Sequence, residues 1–262
     1  MNNLVETIAY YSAYDVENRM KRDQAHYIEF LLSMKYINFC LSNLQKKTDL
    51  TFADIGCGTG NYTIELAKKC SHMYACDLMP RLLDQLRNKA EAENLTNISY
   101  ICKNCTDLSM IPDNSCDAVL CMGPLYHLST EKDRIQCINE VKRILNNEGI
   151  AIFSYLTVRA LWANARYKKM TLEELYRVDD LDRVIMPPFV FITPTEMENE
   201  LHKSFLKINS HCAVDAITSF ALKEVNQLSK QEYAMWVKLM EKHMYEKSFI
   251  EFSSHNLISV HL

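Results

Sequence analysis

The sequence predicts an α/β fold: a mostly parallel sheet of seven strands with helices on both faces, an N-terminal helical segment and a helical lid insertion. Three observations predict it. Residues 50–60 read Leu-Thr-Phe-Ala-Asp-Ile-Gly-Cys-Gly-Thr-Gly, a buried strand, a tight turn and a helix start in succession. From there to Thr157 short apolar stretches alternate with helical patterns, an order that builds a parallel sheet. Glycine is scarce, and its placement is selective. Average usage would give about eighteen in a chain of this length; there are 5, three of them in this one turn.

The elements follow in order. Residues 1–48 form a helical cap outside the core, with Tyr10, Tyr11 and Tyr14 ahead of Arg19. A long helical pattern covers 21–44, where Tyr27, Leu31, Met34, Ile37 and Leu41 recur at steps of three and four. The core, 49–157, holds strands at 50–54, 73–76, 97–102, 116–122 and 150–157, with helices at 61–70, 81–93 and 130–145 between them. Thr130-x-x-Asp133 is a helix-start signal, and Gly149 is expected as a helix stop. Over 158–190 the alternation breaks. Two helices, 159–170 and 172–181, make a lid closed by Pro187 and Pro188. The rest, 191–262, returns to the sheet with strands at 206–214 and 256–262. Its helices open on Thr193-Pro-Thr-Glu196 and Ser229-x-x-Glu232, both capping patterns.

Composition narrows the function. With 262 residues and 48% hydrophobic content the chain can bury a full core. A net charge of −4 argues against a nucleic-acid surface, which is usually basic. No apolar run approaches the roughly 20 residues that cross a bilayer, and the N-terminus lacks the pattern of a secretory signal. Several of the 10 cysteines fall inside strands and helices, among them Cys76, Cys121 and Cys137. Only Cys102-x-x-Cys105 forms a close pair, so no metal site is expected and the chain reads as reduced and cytoplasmic.

The turn spacing chooses a ligand class. A dinucleotide fold uses G-x-G-x-x-G, with pyrophosphate on the helix N-terminus. Here the pattern is Asp54-x-Gly56-x-Gly58-x-Gly60. An acid before the turn repels phosphate and suits an ammonium group. Further acids and a glycine stand where strands end: Asp77, Asp107, and Gly123 within Gly-Pro-Leu-Tyr-His-Leu. Ligands of open α/β sheets bind beyond those ends.

These motifs resemble the Rossmann-like class I S-adenosylmethionine (SAM)-dependent methyltransferases, in particular a bacterial small-molecule subgroup with a Gly-Pro-Leu-Tyr-His-Leu stretch. The resemblance covers 50–157 closely and 191–262 in outline. It implies a final strand antiparallel between its neighbours, and SAM as cofactor, leaving as S-adenosylhomocysteine. By it Asp54, Gly56, Cys57, Gly58 and Gly60 wrap the methionine part. Asp77 accepts hydrogen bonds from ribose hydroxyls, Leu78 lies on adenine, and Asp107 with Leu108 meets its exocyclic amine. Met122 and Gly123 sit near the methionine part, Tyr11 belongs to a flap, and Arg19 partners the SAM carboxylate. Tyr126 and His127 face the acceptor, His127 as orienting group or base.

The expected activity is direct in-line methyl transfer to a small-molecule acceptor. An RNA- or protein-directed methyltransferase and a non-enzymatic SAM-binding protein are the alternatives; the glycine spacing is wrong for a nicotinamide oxidoreductase. Acceptor, methylated atom and oligomeric state are not written in the sequence.

Overall fold

The computed structural model describes residues 3–19, 21–164, 170–179 and 181–262. The N-terminal segment gives α1 (Asn3–Ala13) and α2 (Gln24–Ser42). α2 starts at Asp23, whose carboxylate accepts from the His26 N–H, rather than at residue 21. The core then runs β1 (Thr51–Ile55), α3 (Thr63–Ala67), β2 (His72–Asp77), α4 (Pro80–Ala92), β3 (Ile98–Cys102), β4 (Cys116–Cys121), α5 (Glu131–Ile144) and β5 (Leu145–Thr157). After it come α6 (Ala160–Asn164), α7 (Leu172–Asp179), β6 (Arg183–Met186), β7 (Phe189–Ile192), α8 (Pro194–Lys203), β8 (Lys207–Ala213), α9 (Leu222–Asn226), α10 (Lys230–His243), α11 (Lys247–Phe252) and β9 (His255–His261).

Each core element forms for a local reason. All six residues of β4 are buried, as a strand covered on both faces requires. In α4 the buried set Leu82, Leu83, Leu86 and Ala90 makes one stripe, while the charged residues face out. The expected caps are present: Thr130 accepts from Asp133 N, Thr193 from Glu196 N, and Ser229 forms a reciprocal capping box with Glu232.

The strand order is β3-β2-β1-β4-β5, parallel throughout. It reverses between β1 and β4, and the crevice for a ligand opens at such a switch point. β9 lies antiparallel between β5 and β8.

The expectation of seven strands is corrected to nine among the described residues. The addition is the β6–β7 hairpin, which begins inside the stretch 158–190 expected to be a helical lid and ends two residues beyond it. Valines and isoleucines at 184, 185, 190 and 192 flank the Pro187-Pro188 turn, and they favour a pleated pair. Leu156 of β5 pairs with both Phe191 and His255. Since β9 takes one edge, β7 must lie on the other, just past the end of β4. The hairpin turn is thereby carried to the carboxyl side of the sheet. The expected helix 159–170 is described only over α6, and residues 165–169 lie outside the described residues.

Gly149 is also corrected. α5 ends at Ile144, and Gly149 lies within β5, next to the register shift against β4. A Cβ there would stand 3.0 Å from the Asp117 carbonyl oxygen, so close packing and not a helix stop requires it.

Candidate active site

A cavity of about 360 Å³ lies at the carboxyl ends of β1, β2 and β4, walled on its far side by α1 and the segment after it. The turn after β1 forms its floor. Gly56 N–H and Cys57 N–H both donate to the Cys76 carbonyl, folding the loop back over β2. Gly56, Gly58 and Gly60 all have positive φ. Their neighbours separate their tasks. A Cβ on Gly56 would stand 2.7 Å from Pro124 Cδ, and one on Gly60 would overlap Leu86. Protein packing accounts for those two. At Gly58 a Cβ would meet, among the described residues, only Val16 Cγ1, at 3.4 Å, and Gly58 lines the cavity. Its missing side chain leaves room in the cavity itself.

Asp77 fastens this loop. Its Oδ2 accepts from Gly58 N–H at 2.8 Å and its Oδ1 from Met79 N–H at 2.9 Å. Burial raises its pKa, against the pull of those N–H groups. Asp77, Leu78, Cys57, Met122 and Gly123 all line the cavity. Asp54 stands behind the floor, 1% exposed. Its Oδ2 accepts from Thr63 Oγ1 at 2.6 Å, and its Oδ1 has no hydrogen-bond partner among the described residues. Burial pushes the carboxyl up to about 7. Asp54 and Gly60 are thus supports of the loop and not part of the wall.

Asp107 and Leu108 are placed differently from the expectation. The Asn104 side chain accepts from Thr106 N–H, turning the chain one step early. Asn104, Cys105 and Thr106 therefore make the wall after β3. Asp107 points outward, half exposed, and pairs with Lys103 at 2.7 Å. That ammonium holds its carboxyl well below the usual range. Leu108 is fully buried in the core and donates its N–H to Glu140. The Asn104-x-Thr106 turn signal marked the true wall.

The far side of the cavity joins parts remote in sequence. Tyr11, Tyr14, Arg19, Tyr62, Tyr126 and His127 all line it. Tyr14 and Tyr62 were not among the expected site residues. Arg19 is in the wall, and its guanidinium makes a bidentate pair with Glu29 of α2, at 3.0 and 2.6 Å. Glu29 also lies 3.6 Å from His255, which Asp215 binds at 3.0 Å. Burial pushes the Tyr126 phenol up to about 12, so it stays protonated. Among the described residues neither α6 nor α7 lines the cavity.

His127 is held from two sides. Its Nδ1 is 2.9 Å from the Pro188 carbonyl in the β6–β7 turn, and its Nε2 is 2.8 Å from Tyr11 Oη. A carbonyl only accepts, so Nδ1 carries the proton. Nε2 then holds a lone pair, and the Tyr11 hydroxyl donates to it. Burial lowers the imidazole pKa to about 4, keeping it neutral near pH 7. Tyr11 keeps its proton too, since burial raises its pKa well above the ordinary value.

The chain is similar to known methyltransferases in sequence and in fold. The family model described as a methyltransferase domain matches residues 52–149. A putative methyltransferase of Geobacillus is 30% identical over 100 residues, 38% of this chain and 40% of that protein. The human probable tRNA methyltransferase 9B is 31% identical over 102 residues, 38% of this chain and 20% of that protein. The chain thus spans less than half the length of these relatives. The SAM-dependent methyltransferase structure from Clostridium acetobutylicum shares the fold, with a TM-score of 0.57 at 14% identity over 99% of this chain and 96% of that one. Since one relative is named for tRNA, the negative net charge does not by itself exclude a nucleic-acid acceptor. No helix among the described residues is long and apolar enough to cross a membrane. Residues 52–149 of this chain match the methyltransferase-domain model, and the chain shares the fold of solved SAM-dependent methyltransferases.

Proposed function

We propose that the protein transfers the methyl group of SAM to a small-molecule acceptor held between the glycine turn and α1. The cavity supports the cofactor half of this reading. Gly58 leaves a cradle that any side chain would fill, Asp54 Oδ1 beneath it lacks a hydrogen-bond partner among the described residues, and the Asp77 carboxylate stands in the wall. Gly56, Cys57 and Gly58 would hold the methionine part, with Met122 and Gly123 beside it. Asp77 would take the ribose hydroxyls and Leu78 the adenine, with Asn104 and Thr106 as polar neighbours. Arg19 would face the carboxylate while Glu29 fixes its direction. When bound, SAM supplies a methyl group already activated on a sulfonium. The chain's part is to align the acceptor and keep water out, and alignment alone is worth roughly 7–11 kcal/mol in well-oriented systems. Tyr126 and His127 orient the acceptor from the opposite wall.

The observation that carries a small acceptor is the enclosure. α1 walls the cavity with Leu4, Thr7 and Tyr11, and it is tied down by Tyr11 on His127 and by Arg81 on the Tyr11 carbonyl at 2.7 Å. A site bounded in this way, within the usual pocket size of about 300–1,000 Å³, suits a compact ligand. The second reading is a tRNA acceptor, favoured by relatives that are named as tRNA methyltransferases. Incubating the protein and methyl-labelled SAM with a cell extract separates the two. Label in the small-molecule fraction supports the proposal. Label in RNA alone replaces it with the second reading, and no transfer at all refutes both.

A further inference from the structure

We propose that Tyr11 and His127 form a two-residue proton relay, and that the acceptor it serves bears a hydroxyl group. This rests on the methyltransferase reading above and goes past it, naming the atom methylated and the group that touches it. His127 cannot serve alone. Its Nδ1–H is spent on Pro188, and its Nε2 lone pair already receives the Tyr11 hydroxyl at 2.8 Å. The group of this pair left to meet an acceptor in the cavity is the Tyr11 oxygen, which retains a lone pair while donating its proton. Both residues line the cavity.

The transfer balances in one concerted step. The acceptor oxygen forms its bond to the methyl carbon as the carbon–sulfur bond breaks, and that electron pair stays on sulfur, which becomes neutral. The acceptor proton passes to Tyr11 Oη, the Tyr11 proton passes to His127 Nε2, and the positive charge ends on the imidazole. Solvent takes that proton when the site opens. A neutral amine attacks through its lone pair and sheds its proton afterwards, so it gains little from such a relay. A thiol ionises near neutral pH unaided. A hydroxyl keeps its proton until the new bond forms, when it becomes strongly acidic. Even the weakly basic, buried His127 then suffices, and it stays unprotonated and ready beforehand. The relay exists only with α1 in place, because Tyr11 comes from α1 and His127 from the turn after β4, 116 residues away.

His127→Gln separates a relay from a mere latch. The glutamine carbonyl can still accept from Tyr11, yet it cannot take up a proton. With methyl-labelled SAM and a small-molecule extract, His127→Gln and Tyr11→Phe should each lose roughly 100-fold or more in transfer. Affinity for S-adenosylhomocysteine, read by calorimetry, should change less than about threefold. The carbon shift of the transferred methyl should be that of an ether. Independently of activity, nitrogen NMR of the wild-type protein should show His127 protonated on Nδ1, and Tyr11→Phe should move the Nε2 resonance toward that of an unbonded imine. A His127→Gln protein that transfers at the wild-type rate overturns the relay, as does a methyl found on nitrogen or sulfur. If the wild-type protein labels nothing, the methyltransferase reading falls and the relay with it, whatever the NMR shows.

Discussion

The two sides of the cavity are built on different principles. The cofactor side is local: Gly58 and Asp77 are 19 residues apart and meet through one backbone N–H. The acceptor side is assembled at long range. Tyr11 reaches His127 across 116 residues, and His127 reaches Pro188 across 61. A local motif keeps its geometry wherever strand, turn and helix form. A long-range one exists only when α1 and the β6–β7 hairpin have docked. The first side should therefore be rigid and sensitive to backbone change, the second adaptable and sensitive to loss of single contacts.

The harshest way to break the contrast is Gly60→Val. The side chain would overlap Leu86 at a φ of 84°. We expect little folded protein, a loss of about 4 kcal/mol or more on thermal melting. Next is Asp77→Ala, which frees the Gly58 and Met79 N–H groups at once. Two bonds to a charged acceptor are worth about 1.5–3 kcal/mol each. SAM affinity by calorimetry should fall about 100-fold, while exchange protection of α1 stays unchanged.

The acceptor side gives a pH signature. His127 titrates near 4 when folded, against 6.5 for the free side chain. A depressed imidazole pKa contributes stability that is fully present above pH 6.5 and lost as pH falls through 4. A shift of that size corresponds to about 3 kcal/mol. His127→Gln should flatten the fall of melting temperature between pH 6.5 and 4; an unchanged slope would show that the ring is solvated. The smallest effect on stability belongs to Tyr11→Phe, which removes one hydrogen bond worth about 1 kcal/mol. Amide exchange in α1 should quicken about fivefold, with β1 and β2 unaffected.

The same contrast explains what the sequence revealed. The glycine turn, the Asp77 strand end and the capping boxes depend on residues a few positions apart, so their patterns are readable directly. Asp107 misled because a carboxylate near a strand end says nothing about which way the loop turns. The Asn104 side chain decides that, one residue before the expected stretch. Arg19 was legible as a residue of the wall, but its Glu29 partner was not. The hairpin was read as part of a helical lid because its strands have only four residues each. Two such runs around a Pro-Pro turn carry too short a period to stand out. His127 was singled out from its place at a strand end, while its tautomer and its tie to Tyr11 depend on tertiary contacts that no local pattern encodes.

If the space left by the missing Gly58 side chain belongs to the cofactor, filling it must cost cofactor affinity. Titrating S-adenosylhomocysteine into wild-type and Gly58→Ala protein by calorimetry tests it most directly. Among the described residues a Cβ there meets only Val16, so the variant should fold, losing about 1 kcal/mol to the positive φ. The wild type should give saturable heat and the variant at least tenfold weaker binding. No heat from the wild type, or equal affinity in the two proteins, would contradict it.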